Sequence, residues 1–196
     1  MMKIKIGSVI ALIEVVSIVG LIFLLGQKDM PAKFGVALVF LLPILFGLHV
    51  CEEFIFPGGG ETWFALYHPE NTKAYTQSYF FTINAIPLVL STLLAFGTFD
   101  FVGGFDFFGI RAWLVFLTFL AYNAIFHIRG AIETRRFSPG LVTSILFYLP
   151  LTFISYIYLL HTGVVDIVSV IICLALGSLL QPILDAIKQQ SMKEKA

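Results

Sequence analysis

Apolar residues dominate this chain in six stretches: 6–26, 34–56, 79–98, 108–128, 140–160 and 163–185. As helices, each is long enough to cross roughly 30 Å of hydrocarbon. Polar breaks separate them at 27–33, 57–78, 99–107 and 129–139, with a tight turn at His161-Thr162. The break at 99–107 is the least sharply marked, because 101–108 has the composition of an interfacial segment. No internal repeat or low-complexity segment interrupts the pattern. The expected fold is all-α: a polytopic transmembrane helix bundle of about six spans, one transmembrane helical domain over residues 1–196.

Composition narrows this further. The chain is 59% hydrophobic and only 12% charged, against about 25% charged in ordinary soluble domains. That leaves no room for a separate soluble domain. A formal net charge of zero provides no footprint for nucleic acid. Cys51 and Cys173 both fall in apolar runs, which argues against a disulfide framework or a thiolate zinc site. Lys3 and Lys5 precede an apolar stretch, as in a signal peptide. The stretch is too long for one and no small-residue cleavage site follows, so it reads as a retained first span.

Lysine and arginine set the orientation. Lys3, Lys5, Lys73, Arg129, Arg135, Arg136, Lys188, Lys193 and Lys195 fall on one side, and Lys28, Lys33 and Arg111 on the other. Both termini are therefore expected in the cytoplasm, with the chain in the cell membrane. The second and fourth spans then both end at the cytoplasmic side.

The second span ends in His49-Val50-Cys51-Glu52-Glu53, still inside the apolar run and just before Pro57-Gly58-Gly59-Gly60. Helical residues at i, i+3 and i+4 share a face, so His49, Glu52 and Glu53 project together while Cys51 points away. An acid at mid-bilayer costs about 2.5–3.5 kcal/mol, less near the interface, and the end of a helix disfavours negative charge. A metal ion, another cation, a shared proton or an arginine must offset that cost. Glu52 and Glu53 diverge by about 100°. One is expected to face the site and the other a neighbour, such as Arg129, the Arg135–Arg136 pair or Asn84.

The fourth span ends with Asn123 and His127, again one face apart by a single turn. Span counting alone brings His127 to the level of His49 and the two acids. Asn123, and Asn84 early in the third span, are candidates to orient a ligand or to bond a neighbouring helix. Arg129, Arg135 and Arg136 read as headgroup anchors or as an anion clamp beside the site. Glu133 is a loop charge or a further carboxylate. Ser138-Pro139 reads as a helix cap followed by proline at the first helical position. Trp63, Phe64, Tyr67, His68 and Tyr75 form an interfacial belt, with a short helix over the site. Gly58-Gly59-Gly60 lacks the Lys-Ser/Thr of a phosphate loop. Glu14 is a lone intramembrane acid facing the bundle. Asp166, Gln181 and Asp185 lie near span ends, and His161 sits on the outer side.

At these residues the chain resembles the HXXEE family of integral membrane proteins, whose motif stands here as His49-Val50-Cys51-Glu52-Glu53. The resemblance covers most of the chain. It implies a later histidine, matched by His127, and a Tyr-x-Pro-Gly element, matched by Phe137-Ser138-Pro139-Gly140. Phenylalanine replaces the family's tyrosine, which argues against an essential phenol there. The resemblance marks the cluster as a site and supplies no reaction.

The leading expectation is a membrane-embedded metal-dependent enzyme, a hydrolase or oxidoreductase, acting on a lipid or amphipathic substrate. His49, Glu52, Glu53 and His127 are the candidate ligands, a donor set suited to divalent Zn, Fe or Mn. Glu52 or Glu53 is the candidate general base, and Glu133 could make the site dinuclear. Two alternatives need no metal: an acid–base isomerase of a lipid or a proton-coupled transporter. The midplane sites and inverted repeats of carriers are not evident. A structural or regulatory partner protein is a further class. Membrane lipids are the expected surroundings.

Overall fold

Backbone polar groups in hydrocarbon must be satisfied within their own segment, so each long apolar stretch becomes a helix. The computed structural model describes residues 2–26, 33–69, 72, 77–99 and 105–193, without the side chains of 2–6, 24, 77–78 and 184–193. Its helices are α1 (Met2–Gly26), α2 (Lys33–Phe54), α3 (Gly60–Tyr67), α4 (Gln77–Gly97), α5 (Phe107–Thr134), α6 (Leu141–His161) and α7 (Ile167–Lys193). Among the described residues there is no strand beyond an isolated bridge, Phe99 to Phe105. Lys28, Lys73, Tyr75 and Lys195 lie outside the described residues, as do the side chains of Lys3, Lys5, Asp185, Lys188 and Lys193.

Four described helices are long and apolar enough to cross a membrane: Lys33–Phe54, Tyr79–Gly97, Phe107–Thr134 and Leu141–His161. Shorter apolar helices, Gly7–Phe23 and Ile167–Ile183, occupy the first and last of the expected spans. The outer surface is apolar: Val15, Val19, Leu93, Phe153 and Ile171 are all exposed. The interior holds His49, Glu52, Glu53 and His127. This is the reverse of the polar exterior of a soluble bundle.

α2 is the most buried of the four and the axis of the bundle. It packs against α1, α4 and α6, while α5 lies along α7 and touches α4 and α6. At Gly47 of α2 the Glu14 carboxyl of α1 fills the space a side chain would take. Its Oε1 is buried without a hydrogen-bond partner among the described residues.

Two boundaries near the His49–Glu53 cluster differ from the sequence reading. α5 continues past Ile128 to Thr134. Its last turns are held by an Arg129–Glu133 pair at 2.6 Å and by the Thr134 hydroxyl donating to the Gly130 carbonyl. Arg135 then adopts a left-handed φ of 52° and ends the helix. The next helix does not start at Ser138-Pro139. Gly140, with φ 92°, is the cap and Leu141 the first helical residue, because the Ser138 hydroxyl is engaged elsewhere. Within α6, Ser144–Tyr148 form a π turn in which the Leu149 amide reaches back to the Ser144 carbonyl. Pro150 follows directly, and its missing N–H disrupts regular α bonding at this point.

This packing places the end of α2 and the start of α6 at one end of the bundle. In a cysteine-free background, single cysteines at Glu61 and Arg136, both exposed, should react from the same face of a sealed vesicle. A cysteine at Thr162 should react from the other. Labelling of the first two from opposite faces overturns the arrangement.

Candidate metal centre

The first turn of α6 begins at a glycine, which has no side chain to cap the free amides there. Glu52, from the last turn of α2, supplies the acceptor. The Val142 amide donates to its Oε1 at 3.0 Å, and the Thr143 amide to Oε2 at 2.8 Å. The Thr143 hydroxyl also donates to Oε2, at 2.7 Å. A carboxylate at the unfavourable end of α2 thus sits at the favourable, positive end of α6. The cost anticipated from the sequence is offset by a helix terminus. Arg129, Arg135, Arg136 and Asn84 were the expected neighbours, and none of them takes this role.

Thr143 also fixes His49. The Thr143 hydroxyl has one hydrogen, and its other neighbours, Glu52 Oε2 and the Gly140 carbonyl, can only accept. The His49 Nδ1–H must therefore donate to it, across 2.8 Å. In a neutral ring that leaves the Nε2 lone pair free. The Asn123 amide reaches Nε2 at 3.4 Å, a weak contact in which Asn123 is the donor. His127 is anchored in the same manner, its Nδ1 lying 2.9 Å from the Ser138 hydroxyl.

Both Nε2 atoms converge on one oxygen. Glu53 Oε1 lies 3.2 Å from His127 Nε2 and 3.7 Å from His49 Nε2. The 3.2 Å contact lacks hydrogen-bond geometry, so His127 Nε2 is buried without a hydrogen-bond partner among the described residues. One ligand atom from each of His49, Glu53 and His127 falls within 4.8 Å of the others. Ligand atoms about 2.0–2.1 Å from a tetrahedral ion are roughly 3.3 Å apart, close to the two contacts seen here. Relative exposures of 1%, 4% and 0% close the group off from solvent.

Three residues wall the group. A Cβ on Gly140 would stand 2.6 Å from His49 Cε1 and 3.0 Å from His127 Cε1, so only glycine fits beneath both rings. Trp63 on α3 stacks on His127 at 5.8 Å and 26°, its indole pressed against Gly130. Tyr148 lies 4.8 Å from the His49 ring on another side.

The remaining sequence candidates go elsewhere. The Asn84 amide donates to the Phe80 carbonyl of its own helix at 3.0 Å. Arg129 and Glu133 pair with each other on the exposed end of α5. Glu52 is bonded to α6 and lies outside the His49–Glu53–His127 group. Cys51 is half-buried and free. Thr143, Gly140 and Tyr148 were not anticipated as parts of the site. Once Gly140 is known to start the helix, its uncapped amides call for an acceptor from another segment, which points to Thr143; nothing comparable points to Tyr148.

A family model described as "Protein of unknown function with HXXEE motif" matches residues 40–155, a stretch that contains every residue of the group and its walls. No curated protein and no solved structure matches the chain.

Glu52→Gln keeps the volume but removes the charge and presents an N–H₂ group to amide donors. It should lower stability by about 2 kcal/mol, the scale of a hydrogen bond to a charged group, read as a fall in melting temperature. Wild-type melting of that variant contradicts the capping role. Gly140→Ala should be at least as damaging, since it adds left-handed strain to the contact with both rings.

Proposed function

We infer that this chain, which belongs to the HXXEE family, is a polytopic membrane protein that holds one divalent metal ion between His49, Glu53 and His127. We further infer that it acts on a lipid or other amphipathic substrate. The observation that carries this is the convergence of two imidazoles on one carboxylate oxygen. Each imidazole is anchored through Nδ1, and one presents a buried, unpartnered Nε2. Anchoring of the distal ring nitrogen is the usual support of a metal-ligating histidine.

Two imidazoles and one carboxylate leave a fourth position open, as in catalytic rather than structural zinc sites. The same donors suit a non-haem iron site or manganese. A metal there supplies Lewis acidity to an oxygen of the substrate. The chain's own residues orient and exclude water. Thr143 and Ser138 hold the rings, Gly140 leaves room for them, and Trp63 covers His127. Glu52, with both oxygens occupied, positions α6 and Thr143 and is not the base.

Trp63, Phe64 and Tyr67 beside the group have the composition of a membrane-interface belt, which favours a substrate drawn from the lipid layer. The lysine and arginine distribution favours six crossings with both termini and the site on the cytoplasmic side of the cell membrane.

The burial of Glu53 between two imidazoles favours one second reading, a metal-free acid–base site. Elemental analysis of protein purified in neutral detergent separates the two. One equivalent of zinc, iron or manganese is expected, reduced at least tenfold in His49→Ala and in Glu53→Gln. Wild-type metal content in either variant overturns the assignment. A wild-type protein that is folded but cannot be loaded with metal leaves the acid–base reading in its place.

A further inference from the structure

Tyr148 is fully buried and its hydroxyl has no hydrogen-bond partner among the described residues. Buried phenols nearly always find one, because an unmade bond in a low-dielectric interior is costly. Its ring lies 4.8 Å from that of His49 and 6.3 Å from that of Phe46. For packing alone, phenylalanine would serve, as it does at Phe46 and Phe116 nearby. The residue closes the π turn Ser144–Tyr148, and such turns recur where a helix re-aims a side chain at a functional site.

The hydroxyl bonds to neither Glu53 nor Glu52. Glu52 is saturated by α6, and Glu53 Oε1 faces the two histidines. Neither carboxylate, as it stands, accepts from the phenol, which leaves the acceptor's place to a ligand. Charge indicates its nature. A divalent ion held by two neutral imidazoles and Glu53 carries a net single positive charge. The charge of Glu52 is already matched by the N-terminus of α6.

We propose that Tyr148 donates a hydrogen bond to an anionic oxygen of the ligand at the open position of the His49–Glu53–His127 site. The site would therefore select carboxylate- or phosphate-bearing amphiphiles. The proposal rests on the metal-site reading above. The π turn sets the phenol ring beside the His49 ring, whose Nδ1 is held by Thr143 of the same helix.

The test uses full-length protein in neutral detergent, loaded with Co²⁺ and titrated separately with acetate and inorganic phosphate, following the visible absorption of the cobalt. Tyr148→Phe removes one oxygen that has no partner among the described residues. It should keep its cobalt and melt at or above the wild-type temperature. Its dissociation constant for the bound anion should rise about tenfold or more, the scale of a lost hydrogen bond to a charged group. A loss confined to acetate identifies a carboxylate ligand, and one confined to phosphate a phosphate ligand. A merely structural tyrosine leaves both affinities unchanged, and that result overturns the proposal. Loss of cobalt in Tyr148→Phe overturns it also. A wild-type protein that takes up no cobalt defeats the metal-site reading itself, and the proposal with it.

Discussion

The amides at the start of α6 cannot be satisfied by α6 itself, and the carboxylate of Glu52 cannot be left bare at the end of α2. Each removes the other's cost. Two amides and one hydroxyl meet two carboxylate oxygens at 2.7–3.0 Å, in surroundings where such bonds are strong and their absence expensive. The rest of the site depends on this joint. It sets the height and rotation of α6 against α2, and so brings Thr143 to His49 and Gly140 beneath both histidine rings. Ser138, on the connection that leads into α6, comes to His127. Adjacent glutamates in one sequence motif thus do different work. Glu52 builds the frame, and Glu53 faces what the frame encloses.

The helix termini add direction to this arrangement. α2 ends at the group, which would concentrate partial negative charge there. The start of α6 arrives at the same place with the opposite sign. A divalent cation between His49, Glu53 and His127 would complete the compensation that α6 begins. Without one, His127 Nε2 stands buried beside Glu53 with no hydrogen-bond partner among the described residues. The aromatic cover of Trp63, pressed on Gly130, keeps water from relieving that cost.

Much of this was legible in the sequence, for identifiable reasons. Helix period alone put His49, Glu52 and Glu53 on one stripe, and span counting alone put His127 at their depth. The second argument depends on the bilayer's fixed thickness. The partner of Glu52 was not legible, because its donors are backbone amides of Val142 and Thr143, which leave no mark in side-chain chemistry. Ser138 has the sequence pattern of a helix cap before proline, and Thr143 has no distinguishing pattern; only the three-dimensional approach of α6 makes them histidine anchors. Glu133 and Arg129 misled because both lie close in sequence to His127. The extra turns of α5 carry them to the surface, where they pair with each other. Tyr148 was hidden by the π turn, since ordinary α periodicity does not anticipate the shift that turn introduces.

The proposed site holds its metal through two imidazole nitrogens and one carboxylate oxygen. X-ray absorption at the edge of the metal bound to the purified protein reads that ligand set. The expected result is a first shell of nitrogen and oxygen at about 2.0–2.1 Å, with the outer-shell scattering of two imidazoles. A sulfur shell at about 2.3 Å, which would implicate Cys51 or Cys173, contradicts it. A first shell of oxygen alone, without imidazole scattering, does so as well.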